Sequence, residues 1–385
     1  MNTTMHGNTL SGDRFSVEYR LTGTESEARS MAERLCADQT IEAPPSLLRT
    51  CQIPEGLLGR VEDFAREEES RHQVRISFPV ELFGQSFAQM VHTLFGTASL
   101  SSQIQVADIH LPTQLPEGWP GPRHGIRGIR KKTDVTGRPL VCAVLKPLGL
   151  SPEALAELAH RFALGGVDII KDDQGLGDHA FCPFDERVRR CVASIHDATR
   201  STGRACLYFP HVVGSLEDIR NQAQFAKLAG ADGILLSPGL VGYQTLHDLS
   251  RHATETLPIM SHPAFLGTYS INPENGLAPK VLYGRFPRLT GADITIYPTY
   301  GLNFPISRLN CAQIASACTE SWGPLLPIFP TAAGRMGEDR IREMCELYGH
   351  DCVFILGSQI RESPEGIAAS CEHFMQSLSK ISAAY

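Results

Sequence analysis

The chain has 385 residues, 42% hydrophobic and 20% charged, with a formal net charge of -7 at pH 7, enough to bury a sizeable core and divide into two domains. An acidic balance with no basic run argues against a dedicated nucleic-acid or anionic-membrane surface, because phosphate-backbone binding needs concentrated Lys and Arg. No stretch reaches the ~18 apolar residues of a membrane span, and the opening residues lack the apolar core of a secretion signal.

The first part of the chain reads as a small α+β domain, residues 1–135. "FSVEYRLT" (15–22) is a predicted strand, "ESEARSMAERLCAD" (25–38) a helix, "HQVRISFP" (72–79) a second strand and "FAQMVHTLFG" (87–96) a helix. The Pro/Gly-rich "LPEGWPGPRHG" (115–125) reads as a linker. The eleven cysteines, from Cys36 to Cys371, form no CxxC pair and no zinc spacing. They read as reduced thiols of a cytoplasmic protein.

Residues 136–385 have a different rhythm. "VCAVLK" (141–146) leads into a helix with Ser151 as N-cap, Pro152 at its first position and Gly165 past its end. Further apolar runs follow at 167–173, 206–212, 233–238, 258–263, 294–299, 326–332 and 352–357. Each is continuous rather than alternating, as in parallel strands covered on both faces, and most precede a helical stretch such as 215–228, 338–348 or 364–379. Eight strand–helix units in about 245 residues predict an α/β class (β/α)8 barrel, with a doubly wound sheet as the alternative.

In such barrels the chemistry sits at the C-terminal ends of the strands. Those ends carry Lys146; Lys171 with Asp173 and Gln174; His211; His262; Thr299; Thr331 with Ala333 and Gly334; and Gly357 with Ser358. Small residues after the seventh and eighth strands leave backbone N–H groups open to a phosphate, although the same residues suit tight turns. Within "VDIIKDDQ", strand alternation sends Lys171 and Asp173 to one side and Asp172 to the other. A lysine beside a carboxylate at a strand mouth is compatible with a buried ion pair, with a Schiff-base lysine, or with a lysine carbamate holding Mg²⁺ beside Asp173. Spacing leaves these three open.

"GGVDIIKDD" resembles the metal-site segment of the ribulose-bisphosphate carboxylase (RuBisCO) large subunit, and the likeness extends through "AVLKPLGLS", "SHPAFLG" and the amino-terminal "FSVEYRL" and "ADQTIE". The resemblance implies a carbamylated Lys171 that binds Mg²⁺ with Asp173. It further implies Lys146 and His262 as catalytic groups, a phosphate grip at Thr331, Ala333, Gly334, Gly357 and Ser358, and a head-to-tail homodimer. In that dimer Asp38 and Thr97 would reach the partner's site.

The departures are specific. Gln174 stands where the family has a metal-binding Glu, and Pro263 where an Arg follows the active-site His. The segment after Lys146 lacks a second lysine, and "YPTYGLNFP" after the sixth strand has none. Losing the Glu removes an interaction worth on the order of 4 kcal/mol at ~4 Å and an effective dielectric of about 20, before desolvation. The pattern is similar to RuBisCO-like, form IV proteins, which do not fix carbon. It implies enolate chemistry on a phosphorylated small molecule, first the decarboxylation of a β-keto sugar-acid phosphate of the 3-oxo-isoapionate 4-phosphate type. The alternatives are isomerase or enolase action on a methylthio-ketose 1-phosphate in methionine salvage, and a non-catalytic regulatory or scaffold role.

Overall fold

The structure is a computed structural model and describes residues 4–5, 8–112, 114–251, 257–301, 304–356 and 359–385. The chain forms two compact units. One comprises Met1–Pro120, Leu266–Phe286 and Ser321–Leu325; the other comprises Gly121–Phe265, Pro287–Glu320 and Leu326–Tyr385.

The first unit is built on a five-stranded sheet. Its central strand, Arg14–Thr22, buries Phe15, Val17, Tyr19 and Leu21 at period two. It pairs antiparallel with Arg71–Pro79 on one side and Ile104–His110 on the other. Helix Glu25–Asp38 starts at a capping box between Thr24 and Glu27 and buries Ala28, Met31, Ala32 and Leu35. Strand Arg60–Glu68 has no apolar alternation to announce it. It is an edge strand on Arg71–Pro79 with nearly every side chain exposed, and its charges guard the open edge.

The second unit is a parallel eight-stranded barrel. Its strands are Leu140–Leu145, Ile169–Asp172, Leu207–Phe209, Ile234–Leu236, Ile259–Ser261, Ile294–Pro298, Phe329–Met336 and Val353–Leu356. Each except the third pairs with its successor, and the eighth with the first. The third and fourth meet at one parallel bridge, His211 to Leu235, which closes the ring.

Two apolar layers follow from strand alternation. Cys142, Val144, Ile169, Phe209, Met260, Ile296 and Phe329 fill the interior. Val141, Ala143, Ile170, Tyr208, Leu236 and Phe354 face the helices outside. Helix Pro152–Leu164 begins as its sequence requires, with the Ser151 hydroxyl accepting from Ala154 N–H. Helix Gly125–Thr133 sends Ile126 and Ile129 into the interior layer, so the compact units divide at 120/121 and not at 135/136.

Candidate active site

The second strand ends on a fully buried pair. Lys171 continues the inward series from Ile169, and its Nζ donates to Asp172 O at 3.0 Å. Asp173 Oδ1 lies 4.0 Å from that Nζ, with 27% of its side chain exposed against 2% for Lys171. Burial lowers the pKa of Lys171, partly opposed by the nearby Cys142, Asp173 and Asp172, and Lys146 lowers it further. Asp172 points the other way, into the helix layer. Gln174 is exposed on a turn closed by Leu176 N–H to Asp173 O at 3.0 Å.

Two histidines stand on the same floor. His262, after the fifth strand, is half-buried, and its Nδ1 accepts from Ala264 N–H at 3.1 Å. The ring proton therefore sits on Nε2. Burial, reinforced by Lys171 and His211, pulls its pKa down to about 2, so the ring is neutral. His211 is buried between Leu176 O, 3.1 Å from Nδ1, and Ser237 Oγ, 3.2 Å from Nε2. Ser237, at the end of the fourth strand, went unmarked in the sequence because a lone serine there carries no distinctive spacing.

Lys146 follows the first strand, half-buried, with its carbonyl held by Arg361 Nη1. On the far side of the eighth strand, the seventh strand does not stop at Ala332 as its small residues suggest, but runs on through a bulge. Ala332 pairs with Phe354 and Met336 with Leu356, so residues 333–335 stand opposite Ile355 alone. This misfit takes backbone N–H groups off the ladder. Gly334 adopts φ +122, a conformation that L side chains rarely reach. Thr331 is fully buried, on the inward series with Phe329 and Ala333, and its Oγ1 has no hydrogen-bond partner among the described residues. Gly357 and Ser358 lie outside the described residues.

The metal implied for such a site is Mg²⁺, and the donor set fits it. Asp173 offers a carboxylate and Gln174 an amide oxygen, both hard ligands. Lys171 offers a buried amine whose charged form is disfavoured, and a neutral amine can combine with carbon dioxide to give an anionic carbamate and a proton. A second grouping, Glu18, Asp108 and His110 in the first unit, brings ligand atoms within 4.8 Å of one another. It does not fit a cation, because Asp108 already takes Lys280 at 2.7 Å and Arg285 at 2.9 Å.

Asp38 and Thr97 lie together at one end of the first unit, both exposed. Gln39, which the sequence does not single out, joins their segments. Its side chain accepts from Gly96 N–H and donates to Thr97 Oγ1, both at 2.9 Å. A cavity of about 610 Å³ opens at the opposite end of the barrel, beside Arg138, Asp168 and Arg204. There Asp168 is saturated by Arg138 at 2.7 and 2.8 Å and by Val141 N–H at 2.8 Å. These groups read as the barrel's structural base.

Comparison with known proteins agrees with this fold. Residues 125–303 match the ribulose bisphosphate carboxylase large chain, catalytic domain. The chain is 37% identical to ribulose bisphosphate carboxylase-like protein 1 of Rhodopseudomonas palustris, over 94% of this chain and 96% of that one. It is 33% identical to 5-methylthioribulose-1-phosphate isomerase of Rhodospirillum rubrum, over 95% and 96%. A crystal structure of a Rubisco-like protein from Rhodopseudomonas palustris superposes with a TM-score of 0.84 at 33% identity, covering 96% of this chain and 98% of that one. The chain therefore belongs to the RuBisCO large-chain family, among its RuBisCO-like members.

Proposed function

We propose that this protein is a non-carboxylating enzyme that moves a proton beside the carbonyl of a phosphorylated ketose, as an isomerase or enolase of the methylthio-ketose phosphate type. The observation that carries this reading is the convergence of buried Lys171, Asp173 and neutral His262 on one floor, at the same strand ends as the bulge of the seventh strand. Similarity to a 5-methylthioribulose-1-phosphate isomerase supports the substrate class.

Lys171, Asp173 and Gln174 would hold Mg²⁺, which supplies polarisation of the substrate carbonyl. As the carbamate, Lys171 would present an anionic oxygen placed to take the proton. His262 presents Nε2–H to a substrate oxygen and stays neutral while doing so. Lys146 brings positive charge to the oxygen on which negative charge grows. Thr331 Oγ1 and the N–H group of Gly334, with Ala333, Gly357 and Ser358, would grip the phosphate. The working unit is proposed to be a homodimer in which Asp38 and Thr97 complete the partner's site.

Decarboxylation of a β-keto sugar-acid phosphate is the second reading. It needs an electron sink more than a base, and Gln174, which brings no charge to the metal site, favours it.

Both readings are tested by incubating the protein with Mg²⁺, bicarbonate and a panel of phosphorylated ketoses and β-keto sugar-acid phosphates in D₂O, followed by NMR. The expected result is deuterium at the carbon beside the carbonyl, reduced about 10²–10⁴-fold in Lys171→Ala. Carbon dioxide release, with deuterium found only in the decarboxylated product and none exchanged into remaining substrate, would transfer the function to decarboxylation. Neither reaction across the panel would leave the non-catalytic role. With ribulose bisphosphate and labelled bicarbonate, no label should enter phosphoglycerate, because the segment after the sixth strand lacks its lysine and Pro263 stands where the family has a phosphate-binding Arg.

A further inference from the structure

Asp172 takes no part in the chemistry just described, yet its carboxylate is fully buried and fully engaged. Oδ2 accepts from Arg187 Nε and from His211 N–H, each at 3.0 Å, and Oδ1 accepts from the Tyr208 hydroxyl at 2.8 Å. Arg187 is itself 0% exposed, and its Nη1 donates to Gly177 O at 2.8 Å and Cys182 O at 3.3 Å. One carboxylate thus ties together the end of the second strand, the end of the third, and, through Arg187, the loop that follows Asp173.

Stability alone is a poor reason for this arrangement. A buried ion pair loses to desolvation much of what it gains by attraction, and well-packed apolar residues of similar volume often serve equally well. What such a network does provide is position. Lys171 and Asp173 are the immediate neighbours of Asp172 in the chain and point to the opposite side of the strand. Any rotation of the backbone at Asp172 therefore moves both together. The same carboxylate fixes the backbone of His211, whose ring lies beside His262.

We propose that Asp172, held by Arg187 and Tyr208, is the positioning residue of this site: it sets the spacing and direction of Lys171 and Asp173 from behind the strand, and with them the affinity for a divalent cation. The inference rests on the reading of Lys171 and Asp173 as metal ligands.

The test is calorimetric titration of Mg²⁺, in bicarbonate, into the full-length protein and its Asp172→Asn, Tyr208→Phe and Arg187→Lys variants, with thermal unfolding of each. Partners behind metal ligands typically govern affinity by about 10–100-fold, and Asp172→Asn should weaken Mg²⁺ binding within that range. Tyr208→Phe, which removes one donor and no charge, should weaken it by about threefold or more while unfolding within a few degrees of the wild type. Arg187→Lys, keeping the charge with fewer donors, should fall between the wild type and Asp172→Asn. Unchanged Mg²⁺ affinity in a folded Asp172→Asn overturns the proposal. Should that variant not fold, unchanged affinity in Tyr208→Phe does so. A wild-type protein that binds no Mg²⁺ overturns the metal reading as well, whereas equal binding by wild type and variants overturns only the positioning role.

Discussion

His262 shows how burial chooses a protonation state. Its pKa of about 2 lies far below the ordinary value of 6.5, first because burial disfavours the imidazolium and then because Lys171 and His211 are close. The folded protein therefore binds fewer protons at this ring than the unfolded chain between about pH 2 and 6.5, and the ring's contribution to stability is complete above 6.5 and lost as pH falls through that window. Ring NMR of His262 should show no protonation between pH 8 and 5. A titration midpoint near 6 would contradict the neutral hydrogen-bond donor assigned here. Lys146, Lys171, Asp173 and His262 were legible in the sequence because each ends a continuous apolar run. Asp172 and Arg187 were not. Their pairing spans fifteen positions and exists only once helix Phe184–Thr202 packs behind the strand.

Strands and helices were legible where burial wrote a period into them. The barrel strands showed as continuous apolar runs, and helix Pro152–Leu164 showed by its cap. Edge strand Arg60–Glu68 left no trace, since pairing with one neighbour asks nothing of its side chains. Nor did small residues at 332–334 distinguish a turn from a bulged strand, because both need the same backbone freedom. The seam between the third and fourth strands makes a sharper demand. A Cβ at Gly233 would fall within the ring of Phe209, which is fully buried in the barrel interior. Gly233→Ala should destabilise the protein by about 1–3 kcal/mol through overpacking. Urea unfolding that shows less than about 0.5 kcal/mol would mean that the seam yields freely.

The two compact units carry different parts of the proposed machinery, with Asp38 and Thr97 in the first and the Lys171 floor in the second. If partner chains share sites, mixing Asp38→Ala with Lys171→Ala should restore part of the activity, since one site in each mixed dimer draws intact residues from both. No recovery from mixtures shown to exchange subunits would return Asp38 to a solvated helix end. The proposed function requires that the end of the second barrel strand form a lysine carbamate and hold a metal that serves enolate chemistry. Carbon-13 NMR of the protein with labelled bicarbonate and Mg²⁺ tests it most directly. A carbamate resonance in the wild type that is absent from a folded Lys171→Ala variant is the expected result. An enzyme fully active in EDTA with no such resonance would contradict it.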